Sequence, residues 1–215
     1  MSDTHAFDSQ EHSHLCESLE GLYRERTLRP FKAGQTIPLR RQEMWIVYRG
    51  LVQVLTLHST GDEVLLGLVG PLMPLGLSLT SLEPYQAVAM TNVDLLRLSV
   101  EEVQRSPHLA RELNEQLTRR LRHTEALLAL AGKRMVVDRL HGFLMLIGDE
   151  YGQASDEGTL INLRLTHQQL ANAIGTTRVT VTRCLGELKD AGLVGINSKR
   201  RLYLKKSEPF VEAGV

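Results

Sequence analysis

The stretch THQQLANAIGTTRVTVTRCLGEL, Thr166 to Leu188, decides how the rest of this 215-residue chain is read. Thr166-His167-Gln168-Gln169 is a capping box: a threonine hydroxyl and a glutamine three residues later satisfy each other's free amides, so a helix begins there. Leu170, Ala171 and Ile174 form its inner face. Gly175 marks a turn that needs left-handed backbone, Thr176 or Thr177 caps a second helix, and Val181, Leu185 and Leu188 point that helix inward until Gly192 stops it. Two short helices joined by a glycine turn, with a small residue at the crossing, form the helix-turn-helix pattern.

The pattern leaves Arg178, Val179, Thr180, Thr182 and Arg183 outward at the start of the second helix, the end that enters a major groove. An arginine there can donate two parallel hydrogen bonds to guanine, and Val179 or a threonine methyl can meet a thymine methyl. Thr166, His167 and Gln168 at the first helix's start, with Thr176 and Thr177 in the turn, complete the helical candidates for DNA contact. Downstream, Val194-Gly195-Ile196 and Leu202-Tyr203-Leu204 flank the turn Asn197-Ser198-Lys199-Arg200 as a hairpin with a basic tip, where Lys199 and Arg200 would lie against phosphates. The formal net charge is zero, yet Arg164 to Lys206 holds nine Lys and Arg against Glu187 and Asp190. Charge alone also describes a solvated face; the coincidence with the motif favours duplex DNA as the partner.

Upstream, Leu28 to Leu98 is a series of short apolar or alternating runs, among them Trp45 to Tyr48 and Leu51 to Leu55, separated by glycines at 34, 50, 61, 67, 70 and 76. Such spacing predicts a small β-barrel or jelly roll, with a loop between Pro71 and Pro74. Ser99 to Glu102 is a second capping box opening a short helix. Ser106-Pro107 then opens a long helix running to about Arg134, along which Ala110, Asn114, Leu117, Leu121, Thr124, Leu128 and Ala131 recur at alternating spacings of four and three. A helix on the order of 40 Å exceeds the needs of one small domain. Leu117, Leu121, Thr124 and Leu128 are therefore the expected seam with a second copy, against the alternative of a helix packed only on its own barrel. A helix from Met135 to Tyr151 with Gly152 as its cap, and a strand over Thr159 to Leu165, complete the chain. The class is α+β, in three parts: a barrel over 1–106, a dimerisation helix over 107–134 and a winged helix-turn-helix over 135–215.

Other chemistries find little support. The chain has no apolar run of the roughly 20 residues a membrane span requires, and Met1 to Glu20 is polar and acidic, so a cytoplasmic location is expected. Cys16 and Cys184 cannot supply a four-thiolate site, and His12, His14 and His58 lack spaced partners, so no metal ligand set and no cofactor is expected. No phosphate-cradling glycine loop with lysine and no nucleophile elbow occurs, so no catalytic residues are assigned and an enzyme is not expected.

With these residues in view, the order of barrel, long helix and winged helix-turn-helix resembles the CRP/FNR superfamily of bacterial regulators. Ile174 to Arg183 is particularly similar to the global nitrogen regulators of cyanobacteria, as is Tyr85-Gln86-Ala87-Val88-Ala89. The resemblance implies a transcription regulator, a symmetric dimer on a palindromic site that contacts RNA polymerase when it activates. Cyclic-AMP receptors of the family hold the nucleotide with a Gly-Glu pair and a following arginine; here Leu77 follows Gly76, and Glu83 stands where the arginine would lie, which disfavours a phosphate. Nitrogen regulators bind 2-oxoglutarate partly through an arginine and a glutamate on the long helix, which Arg120 and Glu125 match. Leu75, Gly76, Leu77, Ser78, Arg120 and Glu125 thus outline a candidate effector pocket. Two versions stay open: a small-molecule effector gates the protein, or Leu72, Leu75, Leu77, Leu79 and Leu82 fill the barrel and the regulator needs no ligand. A coactivator protein binding the barrel is compatible with either.

Overall fold

The computed structural model describes residues 26–59, 61–161, 163–197 and 201–205. Its contacts divide into two compact units, Met1–Leu57 with Leu66–His123, and His58–Leu65 with Thr124–Val215. The first unit is built on two antiparallel sheets. β1 (Arg29–Phe31), β7 (Val93–Ser99), β2 (Glu43–Arg49) and β5 (Pro74–Leu75) lie side by side in that order, and β3 (Val52–Leu57) and β6 (Gln86–Ala89) form the second sheet with β4 (Glu63–Val69), of which Leu66 to Val69 belong to this unit.

Alternation along β2 explains how this unit is filled. Trp45 and Val47 point into a cluster with Ile37, Val52, Val54, Met73, Leu75, Tyr85 and Ala87. Met44 and Ile46, on the opposite side, join Leu96, Leu98, Leu109 and Leu113. A strand buried on both faces reads as a continuous apolar run, which is the Met44 to Val47 sequence. The Trp45 indole N–H donates to Pro38 O at 2.9 Å, and Phe31 meets its ring edge-on at 5.9 Å, so the largest side chain is both packed and satisfied.

The loop expected between Pro71 and Pro74 is present, and it ends where Pro74 and Leu75 pair with Ile46 and Trp45 as a short strand. Pro74 tolerates this place because β5 is an edge strand and proline lacks only a donor. One expectation for this unit is corrected: the five leucines that would fill the barrel together do not converge. Leu75 and Leu77 belong to the inter-sheet cluster, Leu72 packs with the helix-side cluster, and Leu82 is 48% exposed. Leucine spacing in a loop carries no period from which direction can be read.

Both helix starts of this unit form as the capping rules require. Before α1 (Val100–Arg105), Ser99 Oγ accepts from Glu102 N at 3.1 Å, and Glu102 Oε2 accepts from Ser99 N at 2.7 Å. Before α2 (Pro107–Ala131), Ser106 Oγ accepts from Leu109 N at 3.3 Å. α2 buries Leu109, Glu112, Leu113 and Gln116, a face distinct from the heptad seam. It ends at Ala131, short of Arg134, where Gly132 and Lys133 turn back to the carbonyls of Leu128 and Leu130.

The second unit holds α3 (Val136–Tyr151), α4 (His167–Ile174) and α5 (Arg178–Asp190), with the sheet β10 (Val194–Ile196), β11 (Leu202–Lys205), β9 (Gly158–Ile161) and β8 (Gly152–Ser155) in that order. Its core gathers Leu140, Phe143, Leu144 and Ile147 of α3 with Leu170, Ala171, Ile174, Val181, Leu185 and Leu188, all buried. The strand expected over Thr159 to Leu165 is shorter, ending at Ile161, and its partner β8 leaves no sequence signal because Gly152-Gln153-Ala154-Ser155 carries no apolar alternation. Gly152 caps α3 in extended rather than left-handed geometry. Space demands glycine there: a Cβ would lie 2.1 Å from Gly148 O and 2.4 Å from a Thr159 methyl.

The α1 cap gives a pH-dependent prediction. A hydrogen bond from Arg26, 2.6 Å away, with help from the Ser99 amide, lowers the Glu102 carboxyl to about 2. A depressed carboxyl contributes stability above its unfolded pKa and loses it as pH falls. In urea denaturation at stepped pH, the wild type should lose stability relative to Glu102→Gln as pH drops from about 4.5 to 2, and the two should differ by a constant amount above that range.

Candidate nucleic-acid interface

The interface is built upward from two caps and one turn. Thr166 Oγ1 accepts from Gln169 N at 3.1 Å, and Gln169 Oε1 accepts from Thr166 N at 2.9 Å, which starts α4. Gly175 sits at φ 63, ψ 57, left-handed backbone that costs an L side chain but not glycine, and its N–H donates to Ala171 O. Thr177, not Thr176, caps α5: its Oγ1 accepts from Thr180 N at 3.2 Å. At the far end Gly192 N donates to Lys189 O and Leu193 N to Leu188 O, closing α5 where the glycine stop was expected.

These bonds present one face of α5 outward. Arg178, Val179, Thr182 and Arg183 are exposed, while Val181, Cys184, Leu185 and Leu188 are buried. Val179 is 79% exposed, a large apolar side chain on an open helix start with no core to serve. Arg183 rests 3.4 Å from Glu187 one turn on; this exposed pair is weak and readily exchanged for another acceptor. Among the described residues no carboxylate pairs with Arg178. Thr176 and Thr180 are half-buried, so they frame the face more than they project from it.

The two helices are also joined by side chains. His167 Nδ1 lies 2.8 Å from Thr182 Oγ1, and Thr182 Oγ1 donates to Arg178 O at 3.0 Å. Gln168 donates to Asn172 Oδ1 at 2.7 Å along α4. The wing's strands pair Val194 with Leu204 and Ile196 with Leu202, and Asn197 closes its mouth by bonding Arg201 in both directions at 3.0 Å. The expected phosphate contacts Lys199 and Arg200 lie outside the described residues, as do Cys16, His12 and His14.

Sequence reasoning missed Arg139. Its Nε donates to Ile174 O at 3.2 Å and its Nη1 to Lys133 O at 3.0 Å, so one guanidinium joins the last carbonyl of α4 to the linker after α2. Both acceptors are backbone atoms, which leave no trace in a residue pattern. Beside it, a Cβ on Gly142 would come 2.3 Å from Leu130 Cδ2: the end of α2 packs into a notch on α3 that only glycine leaves open.

The candidate effector residues do not present an open set. Leu75 is fully buried, Gly76 lies against the Glu43 and Met44 backbone, Leu77 packs on the inter-sheet core, and Ser78 is exposed. Arg120 donates to Pro74 O at 3.0 Å and to Tyr85 OH at 2.8 Å. Glu83 is exposed and ion-paired with Arg41, and Glu125 is exposed on α2. Among the described residues no group of three or more His, Cys, Asp or Glu is placed to hold a metal, and no helix is long and apolar enough to cross a membrane.

A capped pair of helices, a basic recognition face and a β-wing define a winged helix-turn-helix DNA-binding protein. Comparison with known proteins agrees: residues 138–208 match the Crp-like helix-turn-helix domain. The chain is 34% identical over 184 residues to a global nitrogen regulator of Synechococcus elongatus, covering 79% of this chain and 82% of that protein. It is 38% identical over 161 residues to the regulatory protein CysR of the same organism, covering 74% of each. A solved CRP/FNR-family transcriptional regulator of Thermus thermophilus superposes with a TM-score of 0.67 at 26% identity, over 83% of this chain and 93% of that one. The chain belongs to the CRP/FNR family of DNA-binding transcription regulators, near the global nitrogen regulators.

Burial pushes the Cys184 thiol up, with Glu187 adding to the effect, and the side chain is 1% exposed on the inner face of α5. It should be inert to thiol reagents while the domain is folded. In a Cys16→Ser background, labelling by a disulfide reagent at neutral pH should be negligible without denaturant and reach one equivalent in it; rapid labelling of the native protein would contradict the packing.

Proposed function

We propose that this protein is a sequence-specific, homodimeric transcription regulator that binds a palindromic DNA site and needs no cyclic nucleotide. The observation that carries the reading is the open face of α5, where Arg178, Val179, Thr182 and Arg183 stand exposed at the end of the helix a major groove receives. Thr166, His167 and Gln168 at the start of α4, with Thr176, Thr177 and Thr180 in and after the turn, border this face. Lys199 and Arg200 at the wing tip would hold phosphates. The organisation proposed is the barrel over 1–106, the dimerisation helix over 107–134 and the DNA-binding domain over 135–215.

The dimer reading rests on α2. In the single chain Leu121 is 58% and Leu128 73% exposed, while the helix buries a different face through Leu109 and Leu113. Leu121, Thr124 and Leu128 stand exposed and Leu117 half-buried, and a twin helix would cover the four as one seam. Recognition helices in such a dimer meet half-sites about 34 Å apart, one helical turn of DNA. The regulator acts in the cytoplasm, has no catalytic role, and contacts RNA polymerase when it activates.

The barrel favours an effector-independent version. Arg120, the side chain that would clamp an anion, is held by Pro74 O and Tyr85 OH, and Leu75 and Met73 fill the space between the sheets. The second reading, an acid such as 2-oxoglutarate held through Arg120, Glu125 and the loop at Leu75 to Ser78, requires the arginine to leave those partners.

Fluorescence anisotropy at fixed salt tests these points. Arg178→Ala and Arg183→Ala should each weaken binding to a duplex selected by the protein by roughly 10-fold or more, with relaxed sequence preference. Neutralising Lys199 or Arg200 should instead lower the salt slope by about 1 each and leave preference unchanged. Affinity indifferent to added 2-oxoglutarate or cyclic AMP supports the effector-independent form; tightening by either sinks it. By sedimentation, a Leu121→Glu, Leu128→Glu variant should be monomeric, because a dimer would bury four leucines each contributing on the order of 1.5–3 kcal/mol. A dimer that survives these changes removes the seam.

A further inference from the structure

The hydroxyl of Thr182 has one proton, and it goes to Arg178 O at 3.0 Å. His167 Nδ1 lies 2.8 Å from the same oxygen, and both contacts are made at once only when Nδ1 carries a proton and donates it. A helical threonine ordinarily divides between two rotamers, since its hydroxyl can return to the preceding turn or leave it. Here a ring from the neighbouring helix holds the hydroxyl against its own helix. In that arrangement the donor of Thr182 is committed inward and one of its two lone pairs to His167, so the exposed residue offers no hydrogen-bond donor outward and presents its methyl group beside a single remaining lone pair.

We propose that His167 positions Thr182 to read the C5 methyl of a thymine, making this pair a determinant of base preference rather than a hydrogen-bonding contact. The inference rests on the reading of α5 as the groove-reading helix. Val179 and Thr182 are three residues apart and share a helix face, so the methyls of Val179 and Thr182 form an apolar strip. Arg178 and Arg183 adjoin it in sequence. Such a strip suits a thymine edge beside guanines: arginine takes the guanine acceptors and an apolar group takes the methyl.

The test uses the full-length protein and a duplex it selects from a random pool, with a scrambled duplex as reference. Each thymine of the half-site is replaced in turn by deoxyuridine, which removes only the methyl. For the wild type, one thymine position per half-site should lose about four-fold in affinity through Thr182, the worth of one buried methylene, and a different position should report Val179. Thr182→Val, which keeps the methyl, should retain the first penalty. Thr182→Ser, which lacks it, should show no penalty there while the Val179 position still responds. His167→Ala should reduce the Thr182 penalty and His167→Asn, whose amide N–H can occupy the Nδ1 position, should restore it. The proposal is overturned if the serine variant is as sensitive as the wild type, if the valine variant is insensitive, or if no uridine weakens the wild type. Failure to prefer the selected duplex over the scrambled one would instead remove the groove reading on which the proposal rests.

Discussion

The turn at Gly175 is the constraint on which the functional surface depends. With its backbone left-handed and its N–H on Ala171 O, the chain leaves α4 and enters α5 through only three residues, Gly175, Thr176 and Thr177. That abrupt change lets Leu170, Ala171 and Ile174 pack with Val181, Leu185 and Leu188 around one core and leaves Arg178, Val179, Thr182 and Arg183 exposed on the opposite side of α5. Any L side chain at Gly175 meets backbone strain, not crowding, since nothing lies within 4 Å of a Cβ there. Arg139 then ties the end of α4 to the linker through two carbonyls, so the same few atoms set both the helix crossing and its attachment.

A different economy governs the long helix. α2 serves two surfaces: Leu109 and Leu113 close the outer side of the β2 and β7 sheet, while Leu121 and Leu128 remain open. An amphipathic helix that only covered its own barrel would place its leucines on one stripe. Dividing them between two stripes sets α2 apart from α3, whose Leu140, Phe143, Leu144 and Ile147 all turn to the same core. On the same helix Arg120 is spent on Pro74 and Tyr85. A guanidinium so held is a structural strut until something with greater attraction displaces its acceptors.

How much of this was legible in the residues follows the range of the forces. Ser99, Ser106, Thr166 and Thr177 act on amides three residues away, so the first three caps could be read directly and the fourth to within one residue, and the capping boxes form as written. The strand alternation of Met44 to Val47 and the helical periodicity of α5 are equally local. The recognition face came with them, because a helix start, an inner stripe and a glycine turn leave few positions for its outward residues. By contrast the scattering of Leu72, Leu75 and Leu82 and the bond from Arg139 to Ile174 O depend on residues distant in the chain, while β8, the geometry of Gly152 and the bond from Arg139 to Lys133 O involve near neighbours but rest largely on backbone atoms that no residue pattern records.

The sequence by itself therefore determined the order of the helices, where they start, the outward face of α5 and the family to which they belong, since these depend on period and on neighbours within one turn. Tertiary structure alone decided that Arg120 is engaged by barrel atoms, that His167 reaches across to Thr182, and that Gly142 receives Leu130. Each of these is a meeting of atoms from separate elements, where one partner is a backbone group or an ordinary side chain. No spacing rule encodes such an encounter; only the packed fold brings the partners within hydrogen-bond or van der Waals reach.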